Sequence, residues 1–253
     1  FPGGVAAKLL NIPIIIHEQN AVAGMANKQL AKWATHVLYA FPQAFSQYPN
    51  GLVGNPVRED IAHLPNPETR FAKRSGSLKI SVVGGSLGAS ALNQIVPAAL
   101  SLLPENQRPI VLHQSGRGNL DALKTAYEQA GVQAQCVEFI HDMTAIYRDS
   151  DLLICRAGAL TIAELTAAGV GALLVPFPHA VDDHQTANAR YLVSAQAGLL
   201  LPQHQLNAEN LAQIIGSLTR EQCLQWAKNA RSLALPNSAD DVADIVLKTV
   251  QAA

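Results

Sequence analysis

The sequence predicts an α/β protein built on doubly wound parallel sheets, and three observations carry that reading. Short β-rich apolar runs alternate with longer stretches of helical period along all 253 residues, as expected when helices cover both faces of a parallel sheet. Polar and glycine-rich clusters recur directly after the apolar runs, where an open parallel sheet gathers its ligands. A composition that is 49% hydrophobic and 15% charged is enough to bury a sizeable core, one full domain and part of another.

The elements follow in order. A helix-like run from Val5 to Leu10 leads to an apolar strand at Ile12–Ile16, then a helix near Asn27–Trp33 and a strand at His36–Ala40. A chain that opens Phe1-Pro2-Gly3-Gly4 and enters a helix feeding a strand looks like the middle of a βαβ unit, so further N-terminal sequence is expected upstream. Residues 55–77, rich in Pro, Asn, Arg and Ser and without a sustained period, read as an interdomain linker. Beyond it, strands are expected at Leu78–Val83, Ile110–His113, Cys136–Phe139, Leu152–Cys155, Ala172–Val175 and Gly198–Leu201. Helices are expected between and after them, near Ala89–Leu103, Leu120–Ala130, Ala145–Arg148, Thr161–Ala168, Asp183–Ala197, Ala208–Leu218 and Glu221–Leu233. The break at Leu235-Pro236-Asn237 precedes a last helix, Asp240 to Gln251, that would let the chain cross back. The expected division is therefore 1–58 with 237–253 as the remainder of a first domain, and 59–236 as the second.

Composition also excludes classes of partner. A formal net charge of -1 and a pI near 6.8 supply no broad positive field, so nucleic acid is not an expected partner and any phosphate must be held locally. Cys136, Cys155 and Cys223 are odd in number, lack metal-type spacing and read as thiols of a reducing compartment. No apolar stretch reaches the length of a transmembrane helix, and no signal peptide is evident.

Four clusters carry candidate chemistry. Val82-Val83-Gly84-Gly85-Ser86-Leu87-Gly88-Ala89 joins a strand to a helix, as a phosphate-binding loop does. Its glycines spell neither GxGxxG nor a Walker loop, and a tight turn without ligand is the alternative. Arg156 to Glu164 follows the strand ending at Cys155; small residues at 157–159 would leave first-turn amides open, and Glu164 one turn in suits a ribose diol. Thr161 and Glu164 equally have the spacing of a capping box. In the segment from Pro176 to Asn188, Gln185 and Asn188 share a helical face suited to sugar hydroxyls. There Asp182 with Gln185 would serve as a plain cap, and His179 or His184 as a surface residue or metal ligand. Finally, His17-Glu18-Gln19-Asn20 ends a strand, while Gly54-Asn55-Pro56-Val57-Arg58 opens the linker, where Arg58 would offer a diphosphate its planar fork.

Taken in order, these clusters resemble the bacterial undecaprenyl-diphospho-muramoylpentapeptide β-N-acetylglucosaminyltransferases. The matching runs are HEQN at 17–20, VGNPVR at 53–58, VVGGSLGA at 82–89, HQSGRG at 113–118, GALTIAE at 158–164 and the helix from Gln185 to Asn188. The resemblance implies a GT-B type fold, two Rossmann-like doubly wound domains facing a cleft, the first incomplete here. It implies transfer of N-acetylglucosamine (GlcNAc) from UDP-GlcNAc to lipid I to form lipid II in peptidoglycan synthesis. By the same resemblance Asn20 faces the donor, Arg58 approaches the nucleotide-sugar, Ser86 meets phosphate and the backbone of Ile140 pairs with uracil. Ala159, Leu160 and Thr161, with Ile162 and Ala163 in the same run, lie along diphosphate and sugar; Glu164 holds ribose; Gln185, and less directly Asn188, reads the GlcNAc hydroxyls.

The family's N-terminal glycine-rich loops would precede Phe1, so this chain is expected to keep the donor site and lack much of the acceptor site. His17 and Glu18 are the candidates here for orienting the acceptor, with the base itself expected outside this sequence. No Asp-x-Asp motif is present, so neither a metal nor any other cofactor is expected. Expected partners are UDP-GlcNAc, lipid I at the membrane surface, and cell-wall and division machinery, at the cytoplasmic face of the inner membrane. The alternatives are a UDP-GlcNAc 2-epimerase and a non-catalytic nucleotide-sugar-binding fragment; a nicotinamide dehydrogenase is disfavoured by the glycine spacing.

Overall fold

The computed structural model describes residues 1–178 and 183–252. The first part holds α1 (Pro2–Leu9), β1 (Ile15–Glu18), α2 (Met25–Leu30) and β2 (His36–Tyr39), with β1 and β2 paired in parallel. The second begins with two short helices, α3 (Glu59–Ala62) and α4 (Pro67–Phe71). Then come β3 (Lys79–Val83), α5 (Ser90–Ser101), β4 (Ile110–Gln114), α6 (Leu120–Gln129), β5 (Gln135–Val137), α7 (Met143–Asp149), β6 (Leu152–Cys155) and α8 (Ala159–Ala168). The chain continues through β7 (Ala172–Leu174), α9 (His184–Ser194), β8 (Gly198–Leu200), α10 (Ala208–Ser217), α11 (Arg220–Arg231) and α12 (Ser238–Gln251).

The six strands of the second part form one parallel sheet in the order β5-β4-β3-β6-β7-β8. Alternating side chains divide its core, as the period of a strand requires. Ile80, Val82, Leu152, Ile154 and Leu173 point to the side covered by Leu92 and Val96 of α5, Leu123 of α6 and Leu211 of α10. Leu153, Cys155, Ala172 and Leu174 point the other way, to Tyr147 of α7, Leu165 of α8 and Leu192 of α9. The order reverses between β3 and β6, so the loops after those strands diverge to opposite faces and leave a crevice at their carboxyl ends.

Two expectations are corrected. The first strand runs Ile15–Glu18 rather than Ile12–Ile16: Ile12 is exposed and Pro13 has no N–H for a ladder, whereas His17 and Glu18 pair with Leu38 and Tyr39. Linker character does not extend over all of residues 55–77 either. Ile61 is fully buried with Leu165, and Phe71 is buried in the core on the other side of the sheet. Arg70 donates to the carbonyls of Tyr147 and Ala168, each at 2.7 Å, and Arg74 to the carbonyl of Ser150 at 2.7 Å. These arginines satisfy carbonyls at the ends of α7 and α8 that no helical N–H can reach.

Arg74 also meets the buried carboxylate of Asp151 at 2.6 Å, while Lys79 N–H donates to its other oxygen at 2.8 Å and Arg220 lies 3.4 Å away. One carboxylate thus joins the chain entering the domain, its first strand and α11. Cys155 and Cys223 are buried free thiols, and burial pushes both up to about 12, so neither is a nucleophile at neutral pH. Among the described residues no helix is long and apolar enough to cross a membrane.

Removing the Asp151 carboxylate strands two partly buried guanidinium groups. Asp151→Ala is expected to lower unfolding free energy by about 3–5 kcal/mol, read from urea denaturation; a loss below about 1 kcal/mol, the range of an exposed pair, would contradict this account.

Candidate functional site

The loop after β3 is shaped by close backbone packing. Gly88 has φ +76°, and a Cβ there would fall 2.1 Å from the Ser115 carbonyl oxygen; one on Gly116, φ +82°, would fall 2.1 Å from Gly88 N. Glycine at both positions therefore lets the loops after β3 and β4 touch. Arg117 N–H donates to Ser86 O at 3.2 Å, which adds a second tie. Beneath them lies a buried network. Asn93 Nδ2 donates to Ser115 O at 2.9 Å, which turns Asn93 Oδ1 towards His113 Nε2 at 3.1 Å, and His113 Nδ1 accepts from the Tyr127 hydroxyl at 2.9 Å. Burial depresses the His113 pKa to about 3, so the ring is neutral, as this pattern of one donor and one acceptor requires.

Gln114, the next residue, was not singled out by the sequence. Its side-chain amide donates to Gly85 O at 2.7 Å and its oxygen accepts from Ile140 N at 3.1 Å. Ile140, the expected uracil partner, is thereby tied to the glycine loop. Its amide is occupied, so pairing with a base in this arrangement would fall to its carbonyl.

The first turn of α8 is the second wall. Gly158 is the N-cap residue and no side chain caps the helix, so Thr161 and Glu164 do not form the capping box that their spacing allows. The amides at the start of α8 are open to an anion. Glu164 instead accepts from the Tyr147 hydroxyl at 2.8 Å and lies 3.7 Å from Arg58. Thus Arg58 meets Glu164 rather than the glycine loop. Leu160 is half exposed at the helix start, while Ile162 is buried in the core and offers only backbone.

The third wall is the start of α9. Gln185 Oε1 accepts from Phe177 N at 2.9 Å and from Ala157 N at 3.3 Å, which leaves its NH2 as the group to meet a ligand. His179 and Asp182 lie outside the described residues. Asn188, expected to read sugar hydroxyls, is fully buried: its oxygen accepts from Ala21 N at 2.8 Å, and its NH2 donates to Ala157 O at 3.1 Å and Asn20 Oδ1 at 3.2 Å. In this arrangement its polar atoms are committed to joining the two sheets. Asn20 is thereby held close to the loop before α8.

These walls enclose a cavity of about 530 Å³ lined by the glycine loop with Ser86, by Gly158 and Thr161, and by Gln185. Arg156, Phe177 and Gln203 complete it. No role was expected for Arg156, whose guanidinium donates to Val175 O, Pro176 O and Gln203 Oε1 at 2.8–3.1 Å and so holds the loop that carries Phe177. A larger cavity, about 820 Å³, lies along the amino-terminal halves of β3 and β4 with Lys79, Arg108 and Asp149. The smaller one is the better site for a phosphorylated ligand, because glycine-loop and helix-start amides converge only there.

His17 and Glu18, the candidates for orienting an acceptor, serve the backbone instead. His17 Nε2 is 2.8 Å from Gly54 O. Glu18 is 4% exposed, and its oxygens accept from Asn20 N, Gly24 N and Asn27 Nδ2 at 2.9–3.0 Å, which organises the loop after β1. Among the described residues no cluster of three or more His, Cys, Asp and Glu side chains is placed to hold a metal ion.

Comparison with known proteins gives a consistent picture. The glycosyltransferase family 28 C-terminal domain matches residues 79–245, and the family's N-terminal domain matches residues 1–39. The UDP-N-acetylglucosamine--N-acetylmuramyl-(pentapeptide) pyrophosphoryl-undecaprenol N-acetylglucosamine transferase of Neisseria meningitidis serogroup C is 69% identical over 98% of this chain, which spans 69% of that relative. The transferase of the same description from Nitrosomonas europaea is 55% identical over 96% of the chain. A crystal structure of Acinetobacter baumannii MurG superposes with a TM-score of 0.85 at 41% identity, over 98% of this chain and 70% of that one.

Two outcomes are expected from this geometry. Below pH 6.5 unfolded His113 takes up a proton that the folded protein refuses until about pH 3, so stability falls as pH drops through that window. The slope of unfolding free energy against pH between 6 and 4.5 should be smaller in His113→Gln by up to about 1.4 kcal/mol per pH unit, and equal slopes would show that His113 protonates while folded. Gly88→Ala, which drives a methyl into Ser115 O, should weaken UDP binding by about tenfold or more, on the scale of a strained loop; calorimetry returning the parent affinity would separate the loop from the ligand.

Proposed function

The chain belongs to glycosyltransferase family 28, and from that premise we propose that it carries the donor half of an inverting transferase acting on a UDP-sugar. The observation that bears most weight is the convergence of the Ser86 loop, the start of α8 and Gln185 on one cavity at the carboxyl ends of the sheet. The substrate pair we assign is that of the relatives: GlcNAc passes from UDP-GlcNAc to undecaprenyl-diphospho-MurNAc-pentapeptide, giving lipid II for peptidoglycan.

In the proposed complex the diphosphate lies against the glycine loop and the first-turn amides of α8, at Ala159, Leu160 and Thr161. Glu164 takes the ribose, the Ile140 backbone the uracil and Gln185 the GlcNAc hydroxyls. An acceptor hydroxyl attacks the anomeric carbon on the side opposite UDP; the new C–O bond forms as the bond to the β-phosphate oxygen breaks, UDP departs with the electron pair, and the hydroxyl proton passes to a base. Negative charge grows on the diphosphate as it leaves, and helix-start amides already aimed there stabilise it without rearranging. Arg58 adds a mobile cation: it is half exposed and its contact with Glu164 is long, so it is free to swing towards an incoming phosphate.

We divide the chain into residues 1–58 with 237–253 on the acceptor side and 59–236 on the donor side. The contact of Ser238 Oγ with Asn55 O at 3.0 Å supports the return of α12 to that boundary, and residue 253 lies outside the described residues. We place this chemistry at the cytoplasmic face of the inner membrane, where a lipid-linked acceptor would meet a nucleotide-linked donor, with the division machinery as a proposed neighbour. An epimerase would need acid–base carboxylates around the sugar; Glu18 faces inward and Glu164 pairs with Tyr147, which favours transfer.

The donor assignment is tested by a competition panel in which UDP-GlcNAc binds well ahead of UDP-glucose, GDP-sugars and NAD; tighter NAD binding would overturn it. With lipid I supplied to the full-length enzyme, Arg58→Ala should slow turnover by about 10- to 100-fold, the worth of one charge-assisted bond. Unchanged kinetics would remove Arg58 from the site.

A further inference from the structure

The carboxylate of Glu164 has two unlike sides. Oε1 faces outward, 3.7 Å from Arg58, whose side chain is half exposed. Oε2 faces inward and accepts from the hydroxyl of Tyr147 at 2.8 Å. Tyr147 is buried, with 1% of its surface exposed, in the core between α7, α8 and β6. Burial first, and then the negative charge of Glu164, push its phenol well above the ordinary range, so it stays a donor at any working pH.

The tyrosine is itself fixed. Arg70 donates to Tyr147 O at 2.7 Å and, through its other nitrogen, to Ala168 O at 2.7 Å, which ties α7 to the end of the helix that carries Glu164. Burial costs a tyrosine hydroxyl its water partners, and its placement here is satisfied by one acceptor, the carboxylate. A glutamate on an exposed helix turn would sample several rotamers; this one is anchored from behind through Oε2, which leaves Oε1 on the side of Arg58.

We propose that Tyr147 is the positioning residue for the ribose-binding carboxylate, its hydroxyl fixing Glu164 so that the site selects a ribose over a deoxyribose. The inference rests on the assignment of Glu164 to the ribose. A fixed carboxylate can accept from both hydroxyls of a diol at once, whereas a rotating one must be ordered by each ligand and loses much of that gain. Tyr147 touches no part of the nucleotide; it acts through Glu164.

The test is the ratio of affinities for UDP and 2′-deoxy-UDP, measured on the whole chain by calorimetry. The unaltered protein should prefer UDP by roughly tenfold or more, the range of a hydrogen bond to a charged group. In Tyr147→Phe that preference should shrink several-fold, with the loss falling mainly on UDP. Glu164→Asp, which keeps the charge but withdraws the carboxylate from the tyrosine, should shrink it likewise and gives the same reading should Tyr147→Phe fold poorly. In a Glu164→Gln background, Tyr147→Phe should change the ratio no further, because the two residues act as one unit. A merely structural tyrosine would weaken both ligands equally in either background, and that result, or a full preference retained in Tyr147→Phe or Glu164→Asp, overturns the inference. Equal binding of the two nucleotides by the unaltered protein is a distinct failure: it would remove Glu164 from the ribose, and the role of Tyr147 with it.

Discussion

The structure depends most on one buried amide. Asn188, at the start of α9, accepts from Ala21 N and donates to Asn20 Oδ1 and Ala157 O, so its hydrogen bonds run from the loop after β1 to the loop before α8. Those two loops belong to different sheets. A planar amide with no exposed surface tolerates little relative movement of the groups it joins, since any separation leaves a buried donor or acceptor without a partner. Asn55 adds a second, longer tie in the same seam: its amide donates to Gln19 O at 3.0 Å on one side and to Ala159 O at 3.5 Å on the other. The orientation of the sheets is thus set by buried amides beside the cavity.

In the complex we propose, that cavity meets a diphosphate with little formal charge. The chain as a whole is nearly neutral, and Arg156, which lines the cavity, spends its guanidinium on two carbonyls and a glutamine. What remains is backbone: the glycine loop after β3 and the uncapped start of α8. Partial charges of this kind are fixed in direction and need no counter-ion, so they hold a diphosphate without trapping it as a cluster of lysines would. Release of a nucleotide product then costs less than it would from a strongly charged pocket, which suits a transferase that must turn over.

Much of this was legible in the sequence because strand ends and helix starts announce themselves locally. The apolar run Leu152–Cys155 is buried on both faces, and its limits could be read directly. Ser86, Thr161 and Gln185 fell at the ends of such runs and do line one cavity. What was not legible depended on partners far away in the chain. Arg70 and Arg74 fell within the stretch that read as linker, yet they close the carbonyl end of α7, about 77 residues later, and Arg70 that of α8, 98 residues later. Gln114 sat in a recognisable run, but only the fold shows that its amide bridges Gly85 to Ile140. Asn188 shared a helical face with Gln185, and period alone could not tell the side that meets a ligand from the side that meets another sheet.

The same distinction governs how Arg58 is understood. From sequence it was a lone arginine near a hinge; in the fold it stands at the start of α3 and reaches Glu164 on α8. A pair at 3.7 Å with one partner half exposed contributes little to stability. Its consequence is kinetic rather than structural. Arg58 stands weakly committed beside Glu164, and in the arrangement we propose Tyr147 keeps the carboxylate from following when the guanidinium leaves. On that proposal an incoming diphosphate recruits the arginine without disordering Glu164, so that phosphate binding and ribose binding do not compete for the same side chains.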